Sequence, residues 1–264
     1  SYCSGGYMSK EFEVAVIASG SKGNSTIIKA GDTAFLVDAG ISCRRITNGL
    51  KECGLDPLDL SGVLITHEHT DHVSGLPVLS RKYKLPIFAN EKTWQAMELR
   101  NEIERSCHRL LGGQLSFGGM TVSSFAISHD AASPVGYSFL FKDEKCTYLT
   151  DSGFVNEEIK LASLNSDVLI LEANHDEEML KTGPYPRMLK ERILGTRGHL
   201  SNTAAGWFLA NMERMPQEVF LAHISHENNK PELALATVER ILNDSGCSVL
   251  PRIFVTSQGD LVHN

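Results

Sequence analysis

The chain has 264 residues, 42% of them hydrophobic, which is enough to bury a full core. Its 25 Lys and Arg against 32 Asp and Glu give a net charge of −7, which excludes a protein that coats nucleic acid through a globally basic surface. No window approaches the roughly 18 apolar residues of a membrane span. No charged-then-apolar leader marks a signal peptide, and the six cysteines (Cys3, Cys43, Cys53, Cys107, Cys146, Cys247) are scattered without pair spacing, so a reducing, cytoplasmic setting is expected.

Residues 1–7, small and polar ahead of Met8, read as an added expression tail, leaving 8–264 as one domain. Residues 13–18 read as a first strand, and the turn 19–26 (Ser-Gly-Ser-Lys-Gly-Asn-Ser-Thr) leads into a return strand at 27–29. The two glycines of that turn allow a tight path that could cradle a phosphate oxygen on backbone N–H groups, with Ser19, Ser21 and Asn24 as substrate contacts; taken alone, a plain hairpin loop is the simpler account. A third strand at 33–37 ends in Asp38, and a short helix at 46–53 is closed by Gly54. The apolar run 62–65 then reads as a buried strand, followed directly by Thr66-His67-Glu68-His69-Thr70-Asp71-His72.

Side chains two apart in nearly extended backbone point the same way, so His67 and His69 can reach one metal ion together, with Glu68 facing away. Asp71 and His72 come one step later, where the chain turns into a helix (73–84), and are aimed at a second ion beside the first. Imidazole and carboxylate suit Zn, Mn, Fe or Ni, and the lack of a nearby Cys ligand argues against a structural zinc site.

Further along, 85–89 reads as a short strand and 92–104 as an amphipathic helix with Trp94 and Met97 in the core. Residues 120–127 alternate as a strand leading to His129, and a hairpin of 137–141 and 146–149 runs into Asp151. Three times, then, an apolar strand ends in a potential ligand: His67, His129 and Asp151. Residues 167–171 make another buried strand, ending in Glu172-Ala173-Asn174-His175-Asp176. The stretch 181–197 carries Lys181, Arg187, Lys190, Arg192 and Arg197 against the single acid Glu191. Its helix, 185–194, is either a solvated face or a phosphate-binding one. His199 follows Gly198, Ser201 caps a helix running to 212, and a strand at 218–222 ends in His223. Pro231 opens a helix at 232–242, and 249–255 supplies a final strand. Strands alternating with helices give an α/β class.

The pattern His-x-His-x-Asp-His resembles the signature of the metallo-β-lactamase fold superfamily. Taken with Ala-Ser-Gly-Ser-Lys-Gly-Asn-Ser, Glu-Ala-Asn-His-Asp, Gly-His-Leu-Ser-Asn and His-Ile-Ser-His-Glu-Asn-Asn, the chain is similar to the YycJ (WalJ)-like metallohydrolase and exonuclease group. That resemblance implies a four-layer αβ/βα sandwich, two mixed sheets face to face with helices outside. It implies two divalent ions, Zn or Mn and otherwise Fe or Ni, held by His67, His69, Asp71, His72, His129, Asp151 and His223, with Asp151 bridging. Asp38 and His175 would support the ligands, and Asp71 and His199 would act in catalysis, His199 as a proton donor. Arg187, Lys190 and Asn202 join the serines and Asn24 as substrate contacts.

The activity implied is a metal-dependent phosphodiesterase, a DNA exonuclease on duplex DNA that uses a metal-bridged hydroxide. Hydrolysis of a thioester or lactone, as in glyoxalase-like and lactonase relatives, or of a small cyclic phosphodiester, would use the same ions. His69, where the flavodiiron branch has Glu, argues against redox di-iron chemistry. The chain carries no long insertion resembling a tRNA-gripping arm and no β-CASP-like extra domain.

Overall fold

The computed structural model describes residues 10–264, so the expected tail at 1–7 lies outside the described residues. In the first half the chain lays down strands β1 (Phe12–Ala18), β2 (Ser25–Ala30) and β3 (Thr33–Val37), then helix α1 (Cys43–Glu52). There follow β4 (Leu60–Leu64), helices α2 (Thr70–Val73) and α3 (Leu76–Tyr83), β5 (Ile87–Ala89), α4 (Glu91–Ala96) and β6 (His108–Leu110). The second half contains β7 (Gln114–Phe117), β8 (Met120–Ala126), β9 (Val135–Phe141), β10 (Glu144–Leu149) and α5 (Glu157–Ser163). It continues through β11 (Val168–Glu172), α6 (Glu177–Thr182), α7 (Arg187–Leu194), α8 (Asn202–Ala210), β12 (Glu218–Ala222), α9 (Pro231–Asp244) and β13 (Arg252–Val255). A last short strand, β14 (Val262–His263), returns to pair with β1.

Two seven-stranded sheets result, ordered β14-β1-β2-β3-β4-β5-β6 and β13-β12-β11-β10-β9-β8-β7, each mixing parallel and antiparallel pairs. The alternation of side chains along each strand sorts the apolar residues into three cores. Val14 and Val16 of β1, Phe35 of β3, Tyr137 and Phe139 of β9 and Phe220 of β12 meet between the sheets. Ala15 and Ile17, one step out of phase, pack outward with Ile46, Leu50, Leu76 and Trp94. On the other sheet, Leu169, Leu171, Val219 and Leu221 pack outward against Ala205, Leu209, Val238 and Leu242. Strands buried on both faces are why the sequence shows unbroken apolar runs rather than polar alternation. The expected αβ/βα sandwich is the architecture found, and no helix among the described residues is long and apolar enough to cross a membrane.

Two predicted helices are broken. The one at 73–84 divides at Gly75, whose N–H donates to the Ala39 carbonyl at 2.8 Å and where a Cβ would lie 2.2 Å from the Ile41 carbonyl oxygen. The one at 92–104 ends at Ala96. Met97 turns extended, and Glu98–Glu102 forms a 3-10 turn that lets Trp94, Met97 and Ile103 all reach the core. Helices α5 and α6 were not expected; each is short and polar, and each is started by a side-chain cap, Asn156 or Asp176. The strand expected at 249–255 begins only at Arg252, with Val249 and Leu250 exposed.

Candidate active site

The functional side chains gather where strands end. Asp38 follows β3, His67 lies just past β4, His129 past β8 and Asp151 past β10, while Glu172 closes β11 and His223 follows β12. Asp38 (φ 60), Asp151 (φ 58) and His223 (φ 54) all sit in the left-handed backbone region. That conformation costs a non-glycine residue on the order of 1 kcal/mol or more and turns the chain sharply as it leaves the strand. The surroundings are packed to hold it: at Gly40, a Cβ would lie 1.6 Å from the Asp71 carbonyl oxygen, so only glycine permits that approach.

Hydrogen bonds fix which ring nitrogen of each histidine faces the centre. Thr66 Oγ1 lies 2.9 Å from His67 Nδ1 and donates to Asp38 Oδ2 at 2.8 Å, while Asp38 Oδ1 accepts the Thr66 N–H at 2.8 Å. Asp38 Oδ2 also lies 2.7 Å from His72 Nδ1. His129 Nδ1 reaches the Gly198 carbonyl at 3.3 Å, and His69 Nε2 donates to the Asp130 carbonyl at 2.9 Å. Free for other use are Nε2 of His67 and His129 and Nδ1 of His69, while Nε2 of His72 lies 3.3 Å from the Asn24 amide nitrogen and faces Asp71 and Asp151. Asn174 donates to the His223 carbonyl at 2.9 Å, and the His223 N–H donates to Ser19 Oγ at 2.7 Å.

His67, His69 and His129 bring their ligand atoms within 4.8 Å of one another, as do Asp71, His72 and His223, and also His67, His72 and Asp151. Asp151 stands between the groups: Oδ1 is 3.9 Å from His129 Nε2 and 3.3 Å from His223 Nε2, and Oδ2 is 3.5 Å from His72 Nε2. His67 Nε2 and His223 Nε2 are buried with no hydrogen-bond partner. An orphaned buried nitrogen costs about 1–3 kcal/mol, so these two ask for a cation. Burial, with the neighbouring His72, pushes the His67 pKa well down, and burial lowers that of His129, so both imidazoles keep a lone pair to offer. Burial alone would raise the Asp151 pKa, but the imidazoles of His223, His72, His67 and His129 hold it well below the carboxylate range. The donor set suits divalent metal ions.

Glu172 organises the remaining side of the site. Fully buried, it accepts the Asp151 N–H through Oε2 and the Leu200 N–H through Oε1 at 2.9 Å, with His199 Nδ1 3.0 Å from the same oxygen. Burial opposes a charge on His199, but the Glu172 carboxylate and Asp151 overcome it and raise its pKa to about 9. The cleft above holds about 490 Å³ and is lined by Ser21, Lys22, Asp71, His199 and Ser225 together with Tyr185, Leu189, Arg192, Ile193 and Arg197.

Several expected contacts lie elsewhere. Asn24 is 2% exposed, and its amide bonds Gly20 and Asp71; Ser19 is spent on His223. Both hold backbone that carries candidate ligands, and of the three turn residues only Ser21 lines the cleft. Asn202 is buried in a reciprocal amide pair with Asn229, at 2.8 and 2.9 Å. His175 touches Asn174, which in turn touches His223, so it stands one contact further from the candidate ligands than Asp38 does. Arg187 pairs with Glu191 at 2.7 Å and Lys190 donates to the Lys181 carbonyl of α6, and neither lines the cleft. Arg192 and Arg197 take their place in the cleft, 3.2 and 3.9 Å from the Asp130 carboxylate.

Residues 33–224 match the family described as the beta-lactamase superfamily domain. The chain belongs to that superfamily. It is 40% identical to the exodeoxyribonuclease WalJ of Streptococcus pneumoniae serotype 2, over 93% of this chain and 94% of that protein. It is 41% identical to the exodeoxyribonuclease YycJ of Bacillus anthracis, over 89% and 90%. Among solved structures, the metallo-β-lactamase fold protein YhfI from Bacillus subtilis is similar, with a TM-score of 0.73 at 15% identity, covering 97% of this chain and all of that one. The last likeness speaks for the fold alone. The resemblance read from His-x-His-x-Asp-His is borne out, and the superfamily chain is YycJ-like.

Proposed function

We propose that the protein is a metal-dependent DNA exonuclease acting on duplex ends. The observation that carries this reading is a buried carboxylate, Asp151, set between two groups of imidazoles at the floor of a cleft flanked by Lys22, Arg192 and Arg197. The chain around that site is similar along most of its length to two proteins named exodeoxyribonucleases. One ion would be held by His67, His69 and His129 and another by Asp71, His72 and His223, with Asp151 shared; Zn and Mn both suit these donors. Bound there, divalent ions lower the pKa of water and neutralise charge building on the phosphoryl oxygens.

The chain's own residues do the rest. Lys22, Arg192 and Arg197 attract the phosphates. Asp71, whose carboxyl His72 holds below its ordinary range against the effect of burial, faces the cleft as an anion able to orient the attacking water. His199 has one ring nitrogen on Glu172 and lines the cleft, so the other can deliver a proton to the leaving sugar oxygen, and the Glu172 carboxylate favours the charged imidazole. The five cysteines among the described residues are free thiols, which supports a reducing, cytoplasmic setting.

End-labelled duplex DNA, single-stranded DNA, RNA and a thioester, each offered with Mn or Zn, test the reading. Release of short products from duplex ends is expected. Cleavage of RNA or thioester with DNA ends untouched would overturn it.

A further inference from the structure

Helix α7 forms one wall of the cleft, and none of its residues is fully buried. Leu189 and Ile193, four residues apart, share one face of the helix, and Tyr185, in the bend just ahead of it, lines the same cleft. Arg192 and Arg197 stand beside that face, held by Asp130, and Met188, Lys190 and Glu191 are not among the residues that line the cleft. An apolar stripe of this kind normally goes into a core; here it faces the chamber in which the scissile phosphate must sit. Tyr185 lies in Pro184-Tyr185-Pro186, so the following ring confines its own backbone to extended conformations and both flanking φ angles are fixed. The backbone that carries the aromatic ring is thus stiffened although its element is otherwise exposed.

The candidate ligands below are recessed. His67 is fully buried and Asp151 is 2% exposed, so a phosphate must descend past the α7 wall to reach them. A nucleotide still paired and stacked in a duplex is tied to its partner strand; one released from its pair is free to follow its phosphate in. Building on the nuclease reading above, we propose that the face formed by Tyr185, Leu189 and Ile193 seats the unpaired terminal nucleobase of the strand being cut, with Arg192 and Arg197 on the adjoining phosphates. Every base offers a π-face, so such a seat accepts any sequence while demanding that a base be present. Tyr185 is then a specificity-determining residue for an end whose last pair has opened.

The test compares two duplexes that both lack the terminal pair: one ends in a mismatched nucleotide, the other in an abasic residue at the same position, with versions for the 5′ and the 3′ end. Since neither has a pair to break, the difference in kcat/KM reports the base alone. For the unaltered protein loaded with Mn, the mismatched end should be preferred by roughly 5- to 150-fold, the range that corresponds to stacking of one base on an aromatic side chain. Tyr185→Ala should bring the ratio close to one through KM, and Tyr185→Phe should retain it. An unaltered protein that cuts both ends equally well, or a ratio that Tyr185→Ala leaves intact, overturns the base seat while leaving the nuclease reading standing. Failure of the unaltered protein to cut any DNA end overturns both.

Discussion

His72 Nδ1 lies 2.7 Å from Asp38 Oδ2, and both side chains are buried from solvent. The contact fixes the imidazole so that Nε2 points at Asp71 and Asp151, 3.4 and 3.5 Å away. A carboxylate behind a ligand histidine sets both its orientation and its basicity. Asp38→Ala should therefore lower metal affinity about 10- to 100-fold, measured by competition with a chelator. An unchanged affinity would show that packing alone orients His72.

Glu172 should be as costly to remove, for a different reason. Its two oxygens serve Asp151, Leu200 and His199, and Glu172→Ala would leave the Asp151 and Leu200 N–H groups buried without partners. We expect a loss of about 1–3 kcal/mol for each of these two groups in denaturant unfolding, together with reduced nuclease activity. Full activity in the variant would mean that the left-handed turn at Asp151 holds without this anchor.

How far these roles are legible in the sequence differs by residue. His67, His69, Asp71 and His72 are local, so their spacing alone betrays them. His129, Asp151 and His223 are legible because each follows an apolar strand. Glu172 follows that rule too, yet its part depends on β10 and β11 lying parallel with Leu149 opposite Leu171, which places the Asp151 N–H over it; only the sheet order supplies that. Asn24 misleads because a Gly and Ser-rich turn that grips its neighbour's backbone looks, as a string, like one that grips a phosphate. The basic stretch is plain in the composition, but which cations face the cleft depends on the rotation of α7, and composition is blind to it. The sandwich follows from buried strands alternating with helices, whereas the break at Gly75 comes from a tertiary approach that no helical periodicity reveals.

That rotation makes a paired prediction. Arg192→Ala with Arg197→Ala should weaken DNA binding and reduce the log–log salt slope by about 0.9 for each phosphate no longer neutralised. Arg187→Ala with Lys190→Ala, neither of which lines the cleft, should leave the slope nearly unchanged. Titrations of labelled duplex across a salt series decide it, and the reverse pattern would move the DNA path to the far side of the helix.

His199→Ala should slow cleavage of a nucleic-acid diester by about 10²–10⁴-fold, because an alkoxide leaves poorly without a proton donor. An ester that expels p-nitrophenolate should lose much less. Equal losses on both substrates, or a loss of bound metal, would make His199 a structural residue or a ligand.

The central claim is that the histidines and carboxylates around Asp151 hold divalent ions on which DNA cleavage depends. The most direct measurement follows nucleotide release from an end-labelled duplex while metal-stripped protein is titrated with Mn, with Asp71→Ala in parallel. The account predicts no release without metal, a rate that rises to a plateau at about two equivalents per chain as expected of a two-ion site, and little release by the variant at any equivalence. Release by the stripped protein, or full release by Asp71→Ala, would contradict it.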